Sequence, residues 1–102
     1  MPSKNEISPN RSRGDMNDNK DEQRFELEEN GLLAWANYRI RDGVYVIPHV
    51  EADPPLRGTG AADRLMAAIV AHARANKLII EPRWSYARIW FTRHPEACDV
   101  LA

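Results

Sequence analysis

The chain reads as an α+β domain: antiparallel strands, then a glycine-rich turn, a helix, a short strand and a last helix. Three observations carry that reading. Apolar and polar residues alternate between Phe25 and Val50, with turn signals at Glu29-Asn30-Gly31 and Arg41-Asp42-Gly43. The spacing then becomes helical over Leu65, Met66, Ile69, Val70 and Ala73, and Arg57-Gly58-Thr59-Gly60-Ala61-Ala62 lies at the switch. A period of two marks half-buried strands, and a period near 3.6 marks an amphipathic helix.

Taken in order, residues 1–23 are expected to form a disordered tail. Ser, Asn, Asp, Lys and Arg dominate there, and the large apolar side chains are Met1, Ile7 and Met16. That is too little burial to offset the entropy of ordering. The tail has no continuous apolar segment of the kind a secretory signal needs, and Arg11 and Arg13 stand among acids rather than in a basic patch.

The ordered domain is expected over residues 24–102. Phe25 and Leu27 alternate with Glu26 and Glu28 in a first strand. Leu32, Ala34, Ala36, Tyr38 and Ile40 alternate with Leu33, Trp35, Asn37 and Arg39 in a second, and the β-branched run Val44 to Val50 supplies a third. Tight turns chain the three antiparallel. Next come Gly58 and Gly60, which permit positive φ and a close backbone approach. Placed before a helix, whose first amides lack intrahelical partners and whose dipole favours negative charge, such a turn suits an anion. The helix is expected to end near Asn76, a residue that tolerates the left-handed cap. Lys77 to Ile80 then reads as a short buried strand, closed by Pro82. Ser85 is placed to cap a last helix towards Arg93, which His94-Pro95 stops.

Composition narrows the function. Formal net charge is −1, and ten basic residues face ten acidic ones between Arg24 and Ala102. No overall field therefore recruits nucleic acid or an anionic membrane. Cys98 is the sole cysteine, which excludes an intrachain disulfide and fits a reducing, cytoplasmic setting. No stretch is long and apolar enough to span a bilayer. Trp35, Trp84 and Trp90 read as packing anchors of a small core. His72 and His94 read as surface or capping residues, with no partners at metal-ligand spacing.

The order of strands, glycine turn, helix, strand and helix resembles the GNAT superfamily of acetyl-CoA-dependent N-acetyltransferases. Its turn pattern, Gln/Arg-x-x-Gly-x-Gly/Ala, is met by Arg57 to Ala62 with alanine last. The nearer resemblance is to the minimal single-domain GNAT-like proteins, which lack the first strand and first helices of larger members. Tyr38, Pro48-His49, Arg57 to Gly60, Pro82-Arg83-Trp84-Ser85-Tyr86 and His94-Pro95 fall in the places of that family's motifs. Two departures stand out. Trp84 occupies the place where the family usually has cysteine, and Val50 follows His49 where a threonine is usual. Cys98 lies beyond His94-Pro95, with no adjacent base to activate it.

The resemblance implies that amides of Arg57, Gly58, Thr59, Gly60, Ala61 and Ala62 hold the diphosphate of acetyl-CoA. It also implies that the backbone of His49, Val50 and Glu51 pairs with the pantetheine arm. His49 is a candidate general base beside the expected thioester, since histidine titrates near neutrality. Glu51 is a second candidate, and Tyr86 a candidate acid for the leaving thiolate. The plainer readings are a strand end for His49, a solvated acid for Glu51 and core packing for Tyr86. With tryptophan at position 84, an acyl-cysteine route is closed there, and direct transfer in a ternary complex is the expectation. The missing first helices imply an open acceptor side, suited to an exposed amine such as a protein lysine or N-terminus, or a polyamine. Two other readings are a CoA-binding module with little turnover and an interaction scaffold.

Overall fold

The computed structural model of the protein describes residues 16–102. Five strands form one sheet in chain order: β1 (Met16–Asn19), β2 (Arg24–Glu29), β3 (Leu32–Arg41), β4 (Val44–Ala52) and β5 (Ile79–Pro82). The first four pair antiparallel, and β5 joins β4 in parallel. Between them run a short 3-10 turn, Pro54–Leu56, and helix α1 (Ala61–Asn76). This is the crossover that parallel neighbours require. Helix α2 (Ser85–Arg93) and a 3-10 turn, Pro95–Val100, follow β5.

Alternation decides which face is covered. Phe25, Leu27, Ala34, Ala36, Tyr38, Val50 and Ala52 are buried, and they form one core with Leu65, Met66, Ile69, Val70 and Ala73 of α1. The residues between them, including Glu26, Trp35, Asn37, His49 and Glu51, face the other way and are only partly buried. The period-two reading of β2 to β4 and the helical reading of α1 therefore describe two sides of the same interface.

Three expectations shift. The left-handed residue closing α1 is Lys77 (φ 56°), not Asn76; its amide reaches the carbonyls of Ala73 and Arg74. The following strand is Ile79–Pro82, and it includes the proline expected to lie just past it. Ser85 is the first residue of α2, and Trp84 holds the N-cap position in an extended conformation.

A larger correction concerns the tail. Its first fifteen residues lie outside the described residues, but residues 16–23 belong to the domain. Met16–Asn19 is an edge strand in register with Arg24–Leu27. Asn and Asp are poor strand formers, so the sequence hides it; side-chain bonds supply what propensity lacks. Asn17 and Asn19 donate to the Glu26 carboxylate (3.4 and 3.0 Å), and Asp18 Oδ1 accepts the Tyr38 hydroxyl at 2.6 Å. Tyr38 is 3% exposed. Burial, reinforced by the Asp18 carboxylate, holds its phenol well above the ordinary tyrosine range.

The sheet opens at one point. Across β3 and β4 the register slips between Asn37/His49 and Arg39/Val46, an extra residue on β4 that makes a bulge. Pro48 lies within it and has no N–H to give. On the other side, the β4–β5 ladder ends at the pair Ile47/Pro82, a second proline. Arg83 and Trp84 donate their amides to the Ile47 carbonyl (2.8 and 3.2 Å), and the chain then turns into α2. Beyond Ile47, β4 continues to Ala52 with β5 no longer beside it.

Asp18→Ala tests the edge strand. It leaves the buried Tyr38 hydroxyl without its acceptor and is expected to lower unfolding free energy by about 1–3 kcal/mol in denaturant titration. A residue in an unstructured tail would give no change.

Candidate active site

The gap beside β4 is a cleft of about 470 Å³. Val50, Glu51 and Ala52 form one wall, Leu56 to Gly58 and Gly60 to Asp63 the floor, and Trp84 and Tyr86 the opposite side.

The floor follows from local sequence. Pro54 opens the 3-10 turn and Leu56 anchors it in the core. The Leu56 carbonyl accepts both the Thr59 amide (3.1 Å) and the Thr59 hydroxyl (2.6 Å), so the chain reverses tightly. Gly58 and Gly60 take φ of 79° and 88°, which L side chains rarely adopt. Gly60 is the N-cap of α1, and among the described residues no side chain caps that helix. The first-turn amides thus face the cleft floor without intrahelical partners. A Cβ at Gly58 would meet nothing within 4 Å, so the space above the turn is open.

Arg64 braces this turn from below. Its guanidinium donates to both carboxylate oxygens of Glu29 (2.7 and 2.8 Å) and to the Thr59 carbonyl (3.2 Å). The Arg64 hydrogen bond is the main cause holding the Glu29 carboxyl below its usual range.

The β4 wall is set by ladder phase. The Asp53 amide donates to the Leu33 carbonyl (2.8 Å). In an antiparallel pair, bonded positions alternate, so Trp35/Glu51 and Asn37/His49 are bonded pairs and Val50 turns its N–H and C=O away from β3. Ala52 points the same way, and its carbonyl accepts Arg57 Nε at 3.1 Å. Val50 is left as the residue whose backbone faces the cleft with both groups free of β3.

His49, Glu51 and Arg57 form a row at the rim: His49 Nε2 is 3.7 Å from Glu51 Oε1, and Glu51 Oε2 is 3.8 Å from Arg57 Nη2. All three side chains are well exposed, and the His49 ring lies 4.7 Å from that of Trp84. Tyr86 lines the cleft and is 37% exposed, so it is not a core residue. Burial, reinforced by the Asp63 carboxylate and opposed by Arg93, raises its phenol above the ordinary value.

Of the residues expected from sequence, Val50, Glu51, Arg57, Gly58, Gly60, Ala61, Ala62 and Tyr86 line the cleft. His49 and Thr59 do not: the His49 ring packs by Trp84, and the Thr59 hydroxyl folds back on Leu56. Ala52, Leu56 and Asp63 line it without having been singled out for it, and so does Trp84, which stands where the family usually has cysteine. Trp84 reads as a core anchor by size alone; its position between Pro82 and a helix start was the signal that it sits in a turn. Trp90 is the anchor that is buried. Among the described residues no cluster of three or more His, Cys, Asp or Glu is placed to hold a metal ion.

Comparison with known proteins agrees with this architecture. The family described as GCN5-related N-acetyl-transferase matches residues 24–100, and the chain belongs to it. Membership supports a general acyltransferase role, and domains of this family generally bind acetyl-CoA. A search of curated proteins finds no match. No helix among the described residues is long and apolar enough to cross a membrane.

The open turn, the uncapped helix and the free Val50 backbone are compatible with a CoA-type ligand. Gly60→Val tests that fit. Its Cβ would sit 2.9 Å from Arg64 Nη1 at a φ of 88°, displacing the brace and straining the turn by about 1–2 kcal/mol. CoA affinity by calorimetry is expected to fall about tenfold or more, the worth of one bond to a charged group, with the far-UV circular dichroism retained.

Proposed function

We propose that this protein is an acetyl-CoA-dependent N-acetyltransferase that acts on an exposed amine by direct transfer in a ternary complex. One observation carries the reading: the free amides of Gly58, Gly60, Ala61 and Ala62, the strand-free edge of Val50 and the Tyr86 phenol all border a single cleft. Acetyl-CoA, when bound, supplies the acyl group as a thioester.

The chain's own groups then have distinct tasks. The amides of Gly58, Gly60, Ala61 and Ala62 hold the diphosphate, with the α1 dipole behind them; those of Arg57 and Thr59, also expected there, donate to the Pro54 and Leu56 carbonyls instead. Backbone of His49 to Glu51 aligns the pantetheine arm as an added strand, Val50 offering both its N–H and its C=O. An amide at this splayed edge also polarises the carbonyl to be attacked. His49 Nε2 or a Glu51 carboxylate oxygen takes the proton from the acceptor amine, directly or through water. The Tyr86 hydroxyl, protonated as any phenol is at neutral pH, gives its proton to the departing sulfur.

Tryptophan at position 84 supports direct transfer, since no thiol stands there to carry the acyl group. The acceptor is an amine on a large or extended molecule, such as a protein lysine or N-terminus, or a polyamine. His49 and Glu51 support this reading, since both lie on the sheet face that α1 leaves uncovered. A reducing, cytoplasmic setting is consistent with the single exposed Cys98.

A second reading is favoured by Trp84. Its side chain lines the cleft, where a bulky ring restricts the path of the thioester, as in a CoA-binding module with little turnover.

Free-thiol release from acetyl-CoA, measured across a panel of amines, separates the two. The proposed enzyme releases thiol only when an acceptor is present; binding without release supports the module. In the enzyme, His49→Ala is expected to lower kcat about a hundredfold, in the range of general-base contributions, with CoA affinity nearly unchanged. Equal rates return His49 to a strand-end role.

A further inference from the structure

The chain carries its own anion beside the cleft floor. Asp63 is the third residue of α1, the position from which an acidic side chain reaches back to the N-cap amide in a capping box. A carboxylate in the first turn is also favoured by the helix dipole. Left to itself, Asp63 would satisfy the amides at Gly60 and Ala61, which the proposed function assigns to the diphosphate. It does not: among the described residues no side chain caps α1.

The reason lies on α2. Asp63 Oδ1 accepts the indole N–H of Trp90 at 2.6 Å. The Trp90 ring is 6% exposed, so its direction is fixed by packing. His94 fixes it further: the imidazole stacks on the indole at 3.9 Å and 14°, with Nδ1 2.8 Å from the Trp90 carbonyl. Its Nε2 lies 4.0 Å from the same Asp63 oxygen. A phenylalanine keeps an apolar ring at this core position, though a smaller one; what only the indole adds is the donor aimed at Asp63.

We propose that Trp90 is a positioning residue that holds the Asp63 carboxylate off the first turn of α1 and so keeps the anion site open. This rests on the reading that the turn receives a diphosphate. Without the indole N–H, Asp63 swings back and competes as an internal ligand.

Trp90→Phe, Asp63→Ala and the double variant test it by calorimetry with CoA and by amide NMR of the free protein. Trp90→Phe is expected to weaken CoA binding by about fivefold to thirtyfold, the usual worth of one N-terminal cap. Adding Asp63→Ala restores affinity to the original level or better, and Asp63→Ala alone tightens binding severalfold. In free Trp90→Phe protein, the Gly60 and Ala61 amide protons move downfield between acid and neutral pH, and the double variant abolishes that movement. Unchanged affinity in Trp90→Phe, failed restoration in the double variant, or weaker binding in Asp63→Ala would each overturn the proposal. Amide shifts that stay still in Trp90→Phe overturn it without reference to CoA. Shifts that appear as expected in a protein that binds no CoA keep the positioning role and remove the diphosphate reading instead.

Discussion

Everything in the cleft depends on the parting of β4 from the edge strand β5. Pro48 on β4 and Pro82 on β5 lie at the point where the ladder stops, and neither has an N–H to extend it. The last available acceptor, the Ile47 carbonyl, is taken by Arg83 and Trp84, which steers the chain away into α2. β5 covers only the first four residues of β4; past Ile47 the outer side of β4 is free for five residues, Pro48 to Ala52, and α1 begins beside it. The edge presents backbone, the turn presents amides, and α2 presents a phenol, so three kinds of polar group converge on one cleft.

That arrangement explains how so small a domain holds a site at all. The core lies between one sheet face and α1, and it is spent on holding β2 to β4 flat against the helix. The site uses what packing leaves over: the strand edge past the bulge, the start of a helix with glycine at its cap, and the rim of a second helix. Arg64, reaching Glu29 and Thr59, ties the turn to the β2–β3 connection. The Trp90–Asp63 bond ties the same helix start to α2. The turn is therefore braced from two sides, which is how a loop acquires the preorganisation that a ligand-binding backbone needs.

Much of this was legible in the residues. Alternation over Phe25–Val50, the helical spacing from Leu65 and the glycines at 58 and 60 are local signals, and local signals specify β2 to β4, the turn and α1 directly. What stayed hidden was non-local. β1 has the composition of a linker and exists because Asp18 meets Tyr38, twenty residues on. Trp84 and Trp90 are alike by residue type, yet one borders the cleft and the other is buried, a difference set by where α2 begins. The His49 ring packs by Trp84 and does not line the cleft, although Glu51, two residues on and on the same sheet face, does, a difference that strand alternation could not foretell. Asp63 gave the least warning: an acid in a first helical turn is ordinary, and only the indole across from it gives it a task.

The central claim is that the main-chain donors of Gly58, Gly60, Ala61 and Ala62, with Val50 opposite, receive the ligand. The most direct measurement is a CoA titration of uniformly 15N-labelled protein followed residue by residue. The account predicts that the largest shifts fall on the amides of Gly58, Gly60, Ala61 and Ala62 and on Val50, saturating together. Saturable shifts elsewhere on the molecule, with these amides unmoved, would contradict it.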